Sequence, residues 1–343
     1  MGKRRALLAL AVVTAVTGVP VRAWSGPKPV QPSHVEPNDD SPSPAGAVSP
    51  GPGKVPDLRL TTSADDRSGA RAWSAAGLVG LYAGLGTWAY FAWYHNVETL
   101  PEFEVGGDGW FGRGTYAAGA DKMGHFWANY AITRGSTKLL EYGGWDTLPA
   151  SIISGSLAWT LFAFVEVKDG FYYQLSIGDT VGNTVGVLLG ILMENVPEVD
   201  RWLDFPIQYW PSSDYRRTLT EDGDLDVAED YSGQTYLAAL HLKAIPGLTN
   251  PRWMRWARYV DVVGGFESRN YLPEPDDGDR RRMSVFFGFK LNIQHLLSEL
   301  YDGPPERMSH KVAHGIFELY SPPYTTVRVS EATRYEPGIE PDE

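Results

Sequence analysis

The chain has 343 residues, no cysteine and a formal net charge of −12. Without cysteine it holds no disulfide, no thiolate metal site and no residue for lipid attachment after export. Its acidic balance excludes nucleic acid as a partner, because phosphate binding requires a basic surface.

At the start, Lys3, Arg4 and Arg5 precede an apolar run at 6–19, followed by Val21-Arg22-Ala23. Small residues at the minus-three and minus-one positions make 1–23 a secretory signal peptide cut after Ala23, with an uncleaved anchor as the rival. Cleavage removes four basic residues and leaves a charge of −16. Residues 24–70 read as an extended tether, because nine prolines fall between Pro27 and Pro56 among Gly, Ser and Asp, a composition that buries too little apolar surface to fold.

Residues 73–94 carry no charged side chain. As a helix this stretch is long enough to cross a hydrocarbon layer of about 30 Å. Its small residues Ala76, Gly77, Gly80 and Gly84 predict close approach by another helix. Three further helices are predicted at 121–142, 148–167 and 177–195; their internal charges must face inward or an interface. Twelve Trp and eighteen Tyr in the chain suit membrane interfaces. The expectation for 71–203 is a mainly α membrane bundle of about four helices, with re-entrant packing as the alternative.

Beyond residue 204 the pattern changes. Strands are predicted at 234–245, 259–271, 282–292 and 324–329, with a hairpin loop at 273–280 and a short helix at 293–301. Val285, Phe287, Phe289 and Leu291 alternate with Ser284, Gly288, Lys290 and Asn292, the period of a half-buried strand. These are too few strands to close a transmembrane barrel, so 204–343 reads as a small antiparallel β-sheet domain of the envelope.

The chemistry-bearing residues are concentrated in the helices. Asp121, His125 and Asn129 repeat every four residues and share a helix face, with Lys122 beside them. Glu166 and Asp169 share another face. Ser176 is placed to cap the helix on which Asp179, Asn183, Gly186 and Gly190 form one stripe. A carboxylate in hydrocarbon costs about 2.5 kcal/mol or more, so these groups must meet each other, water, a cation or a ligand. His125 is the candidate general base, with Asp121 or Glu166 orienting it. Lys122, Asn129, Asp169, Ser176, Asp179 and Asn183 are the candidate binding residues. A hard divalent cation, magnesium or calcium, suits the oxygen-rich set. Lys122, Lys168 and His125 are the candidates to offset the charge.

Lesser features carry less. Asp222, Asp224 and Asp226 alternate like a calcium loop, but Val227 and Gly233 stand where Gly and Glu are required, so a solvated acidic loop is expected. His310 and His314 lack a third ligand and read as surface residues. Gly106-Gly107-Asp108-Gly109 lacks the lysine of a phosphate loop, and neither Ser154 nor Ser176 sits in a nucleophile elbow.

Together, Asp-Lys-x-x-His-Phe at Asp121, Glu-x-x-Asp-Gly at Glu166 and Ser-x-x-Asp-x-x-x-Asn-x-x-Gly-x-x-x-Gly at Ser176 resemble the YfiM-like family, described as predicted periplasmic lipoproteins of unknown function. The segment Asp230-Tyr231-Ser232-Gly233-Gln234-Thr235-Tyr236 is similar to a phrase of its longer members. The same three-part motif resembles VanZ-like membrane proteins, associated with glycopeptide resistance, except that Asp169 stands where those have Gln. The resemblance implies a helical envelope protein and supplies no mechanism. Two functions follow as expectations. One is a non-catalytic envelope protein whose polar cluster is structural or binds a headgroup or cation. The other is a membrane hydrolase or transferase acting on a lipid or cell-wall precursor headgroup. Expected partners are membrane lipid and other envelope proteins.

Overall fold

A computed structural model describes residues 64–95, 97–107, 109–223, 226–273, 280–301 and 308–335. The expected signal peptide and most of the Pro-rich linker lie outside the described residues.

Four helices form the first half: α1 (Ala64–Ala89, continued by a π-helical turn Tyr90–Tyr94), α2 (Ala120–Tyr142), α3 (Thr147–Tyr172) and α4 (Ile177–Asn195). All four fall close to the expected ranges. Helix α1 begins before residue 71, because Ala70, Arg71 and Ala72 favour helix once the prolines end at Pro56. Ser176 caps α4 as expected, its Oγ accepting from Asp179 N at 3.3 Å.

Helices α2, α3 and α4 pack against one another. The tightest approach is between α2 and α4 and depends on glycine. A Cβ at Gly186 would stand 2.2 Å from the Phe126 carbonyl oxygen, and one at Gly182 would stand 2.8 Å from that of Lys122. Helix α1 joins through side chains: Leu78 is buried with Leu140 and Ala150, and Tyr82 Oη donates to the Ser154 carbonyl at 3.2 Å. The close approach expected along α1 is absent at Gly80 and Gly84, which have nothing within 4 Å of a built Cβ. Bulky Leu78 and Tyr82 set the spacing there.

The bundle is present, but its membrane character is narrower than expected. Among the described residues, two helical segments are long and apolar enough to cross a membrane, Ser68–Tyr94 and Thr147–Tyr172. Helix α2 carries Asp121, Lys122, Arg134, Lys138 and Glu141, which no spanning helix tolerates on several faces.

The second half is an antiparallel sheet. Strands β1 (Val105–Gly106) and β2 (Leu175–Ser176) form a small parallel pair beside the helices. Strands β3 (Leu203–Asp204), β4 (Ile207–Tyr209), β5 (Gln234–His241), β6 (Val260–Arg269), β7 (Arg282–Leu291) and β8 (Thr326–Tyr335) build the main sheet in the order β3-β5-β6-β7-β8, with β4 also on β5. Helices α5 (Ser213–Glu221), α6 (Ile293–Leu300) and α7 (Met308–Leu319) flank it. Sheet and bundle share a core: Ala117, Ala118 and Ala120 at the start of α2 are buried with Ile207, Tyr231, Tyr236 and Tyr271.

The alternation in β7 is as expected, but its faces are reversed. Ser284 and Lys290 are buried, whereas Val285, Phe287, Phe289 and Leu291 are 52, 46, 39 and 38 % exposed. Polar groups can face inward because they are paired. Asp261 receives His241 Nδ1 at 2.8 Å, Lys290 Nζ at 2.7 Å and Asn292 Nδ2 at 2.7 Å. Glu267 receives Arg269, Arg328 and the Thr235 hydroxyl. The acidic loop before β5 is likewise less solvated than expected. Asp230 is fully buried and accepts from Ser212 N at 2.9 Å, and Asp226 accepts from Ala228 N at 3.2 Å, so these carboxylates tie turns together. His310, expected at the surface, stacks on Tyr301 with ring centroids 4.5 Å apart.

His241 yields a pH test. Its Nε2 lies 2.9 Å from Asp204 and its Nδ1 2.8 Å from Asp261. Burial lowers its pKa, but the two carboxylates outweigh burial and push it up to about 9. The folded value exceeds the unfolded one of about 6.5. The stabilisation is therefore complete below about pH 6.5 and disappears as pH rises through about 9. Unfolding followed by circular dichroism should show the wild type losing about 2 kcal/mol between pH 7 and 9.5 that His241→Asn does not lose. Parallel pH profiles would refute the assignment.

Candidate functional site

The residues singled out on α2, α3 and α4 converge. The entry to α2 is set by a left-handed turn, with φ of 46° at Ala117, 55° at Ala118 and 92° at Gly119. A Cβ at Gly119 would lie 2.6 Å from the Trp110 carbonyl oxygen, so only glycine fits. This turn places Asp121 in the first turn of α2, and successive turns place His125 and Asn129 on the face that meets α4.

Asn183 on α4 is the hub. Its Oδ1 accepts from Asn129 Nδ2 at 2.6 Å and faces His125 Nδ1 at 3.0 Å, while its Nδ2 donates to Glu166 Oε1 at 3.1 Å. Because the amide nitrogen is committed to Glu166, the oxygen is the atom that meets His125, so Nδ1 carries the hydrogen. Nδ1 also lies 3.4 Å from Glu166 Oε1. The other ring nitrogen, Nε2, faces Asp121 Oδ1 at 3.6 Å.

Lys122 lies between two acids, 3.7 Å from Asp121 and 3.3 Å from Asp179. Glu166 Oε2 accepts from the Ser176 backbone N–H at 3.4 Å. Asp121, Lys122, Asn129, Glu166, Ser176, Asp179 and Asn183 are all buried, and His125 is partly buried. Two sequence-predicted residues stand at the flank. Asp169 accepts from Tyr94 Oη of α1 at 2.6 Å. Lys168 lies over the rings of Tyr172 and Tyr94, at 4.5 and 5.1 Å, rather than among the acids.

The electrostatics are unbalanced. Asp121, Glu166 and Asp179 face one ammonium, Lys122, and one imidazole. Burial lowers the His125 pKa, but Asp121, Asp179 and Glu166 outweigh it and push it up to about 9. Asp179 is raised by burial first and then by Asp121. The charge extends outward to Glu229, pushed up to about 8 by burial and then by Asp226 and Asp121. One oxygen each of Asp121 and Asp179 and one ring nitrogen of His125 lie within 4.8 Å of one another, the spacing of a metal-ligand set.

A second acidic group, Asp200, Asp204 and Glu318, meets the same spacing. There too the acids outnumber the cations, and burial pushes Glu318 up to about 8. Arg134 reaches Glu194 at 2.9 Å, Asp200 at 2.7 Å and also Glu318, and His241 holds Asp204.

The sequence did not reveal the aromatic groups that close the centre. Tyr231 Oη donates to Asp121 Oδ1 at 2.7 Å across 110 residues of chain. The Tyr236 hydroxyl stands 3.2 Å from where a Cβ on Gly124 would be. Both lie in the segment 230–236, whose resemblance to the longer YfiM-like members was the available signal. Tyr94 had none beyond its place at the end of an apolar helix. Two cavities lie nearby, one bordered by Arg113, Tyr116 and Tyr271, the other by Met123, Trp127 and Phe266; neither is lined by His125, Asp121, Glu166 or Asp179.

This is a paired polar centre between three helices, of the kind that fixes a bundle or holds a small cation. The family model described as "Predicted periplasmic lipoprotein (DUF2279)" matches residues 107–195, which include α2, α3 and α4 and all the helical residues of the centre except Tyr94. The match fits a cell-envelope protein of unknown activity and does not extend to VanZ-like proteins. No curated protein and no solved structure matches the chain.

Asn183→Leu removes three hydrogen bonds at the hub, leaving Glu166 with the Ser176 N–H and His125 and Asn129 with the His125 carbonyl. It should cost about 3 kcal/mol, read as a lower melting temperature in detergent. Val185→Ala, on an exposed neighbour, should melt within a degree or so of wild type. Equal melting of the two variants would show that the hub does not support the bundle.

Proposed function

We propose that this chain is an exported cell-envelope protein, held in a membrane by α1 and α3, that binds a divalent cation among Asp121, His125 and Asp179. The observation that carries the reading is the three ligand atoms converging within 4.8 Å on a centre whose carboxylates outnumber its cations. Three carboxylates face one ammonium. With a pKa held up to about 9, His125 is charged at neutral pH; a divalent cation displaces the Nε2 proton on binding, while the hydrogen bond from Nδ1 to Asn183 keeps Nε2 directed at Asp121. Hydrogen-bonded support behind a ligating imidazole is the usual way a protein fixes its tautomer. Two carboxylates suit magnesium or manganese, and the imidazole shifts preference toward manganese or zinc.

The membrane part rests on the two spanning-length segments and on apolar side chains left facing outward, including Trp73, Val79 and Phe91 on α1 and Phe164 on α3. Residues 1–23 serve as the export signal, and membrane lipid is the surrounding partner. The resemblance of the three-part motif to VanZ-like membrane proteins favours the same placement. Binding is preferred to hydrolysis because His125 is engaged by Asn183, Glu166 and Asp121, and neither cavity is lined by it.

The test is metal titration of the purified, chelator-treated full chain in detergent. Magnesium, manganese and zinc are each added, with melting temperature and calorimetric heat as readouts. At a hundredfold excess over Kd, binding should stabilise by about 2.7 kcal/mol. Asp179→Asn and His125→Ala should lower affinity by at least about tenfold, while Asp200→Asn in the second acidic group should leave it unchanged. Absence of heat and of any melting shift with all three metals would exclude the cation site and leave the centre structural.

A further inference from the structure

The sheet is apolar on both faces. Its interior face combines a small apolar cluster, Leu237, Ala239, Val263 and Phe286, with the charged network around Asp261 and Glu267, while the row Val285, Phe287, Phe289 and Leu291 is left exposed on the other side. In water, a sheet with one covered face buries its apolar side. An outward apolar row is the pattern of strands that face lipid.

The end of this face is marked by a second feature. Residues Arg252–Tyr259 form a 3-10 segment leading into β6. With three residues per turn, Arg252, Arg255 and Arg258 fall on one side and Trp253, Trp256 and Tyr259 on the next. Met254 and Ala257 take the third side, where Ala257 is fully buried. Trp253 and Trp256 are 75 and 55 % exposed, and Arg252 and Arg255 are exposed beside them. The segment ends beside the last residue of the apolar row: Val260 pairs with Leu291, and Leu291 N donates to the Thr325 carbonyl at 3.0 Å, next to the exposed Tyr324, while Arg258 and Tyr259 turn to Glu299 of α6. Arginine beside tryptophan, at the border of an apolar surface, is the composition of an interfacial anchor.

We propose that the outward face of the sheet lies on the surface of an anionic lipid bilayer, with Trp253 and Trp256 at the headgroup level and Arg252 and Arg255 on lipid phosphates. Charge selects this occupant. The chain as a whole is acidic, so a basic, aromatic patch is matched by anionic headgroups, whereas a second copy docked symmetrically would set these arginines against an identical set. The inference rests on the membrane reading above and extends it from the helices to the sheet.

The absence of native cysteine permits site-specific reporters. Single cysteines are placed at Phe287, Trp253, Val79 and Glu221 of the full chain and labelled with an environment-sensitive fluorophore. Each variant is reconstituted into nanodiscs of mixed phosphatidylcholine and phosphatidylglycerol with spin-labelled quencher lipid; Phe289→Cys is the second reporter on the same face should Phe287→Cys fail to fold. Lipid quenching is expected at Val79, Phe287 and Trp253, and none at Glu221. Charge reversal at Arg252 and Arg255 should reduce docking, read at Trp253, by about fivefold per arginine, and added salt should do the same. Quenching at Val79 without quenching at Phe287 overturns this inference and leaves the membrane reading intact. Quenching at neither overturns both. A blue shift at Phe287 that grows with protein concentration and persists without lipid assigns the face to a second copy and overturns the proposal.

Discussion

The arrangement turns on how near α4 comes to α2. Glycines at 182, 186 and 190 let the two backbones meet where any Cβ would strike a carbonyl or Thr133. Only at that separation does one short amide, Asn183, reach His125, Asn129 and Glu166 together. Of the carboxylates, Glu166 owes its place to this contact, whereas Asp121 and Asp179 are held by Lys122 and Tyr231; a wider gap would leave Glu166 with a costly unmatched burial. Glycine on one helix and ionisable groups on the others are therefore parts of one design.

Much of this was legible in the sequence, for reasons that differ by region. Long charge-poor stretches located the four helices, though α1 begins nine residues earlier and α3 ends five residues later than expected, because helices extend into polar flanks that hydropathy does not mark. Four-residue spacing put Asp121, His125 and Asn129 on one face and Asp179, Asn183 and Gly186 on another. That these faces meet followed from the cost of leaving them apart. Where long-range pairing decides, the sequence was silent. Nothing near Tyr231 announces a bond to Asp121, and nothing in Asp204 announces His241. Period-two alternation located β7 but not which side of it is wet, since the rule that apolar faces turn inward presumes water on the other side. The acidic loop read as solvated for a similar reason: composition does not show that Asp230 will find Ser212 and Gly233.

The two acidic groups share a spacing but differ in what binds them. Around Asp200, Asp204 and Glu318, one guanidinium, Arg134, bridges acids from separate elements and so knits the bundle to the helices after it. Around Asp121, Glu166 and Asp179 the cations are a compact ammonium, Lys122, and the imidazole of His125, and uncharged groups, Asn183 and the Tyr231 hydroxyl, complete the pairing.

The reversed strand also has a consequence before the fold exists. A run reading Val285-Phe286-Phe287-Gly288-Phe289 is the sort of segment that adheres to copies of itself while the chain is still extended. It is bracketed by Arg280-Arg281-Arg282 on one side and Lys290 on the other. Flanking charges of one sign keep such runs apart by repulsion. The same residues thus have two settings: Arg280-Arg281-Arg282 and Lys290 border the run in the extended chain, and in the fold Lys290 turns inward to Asp261.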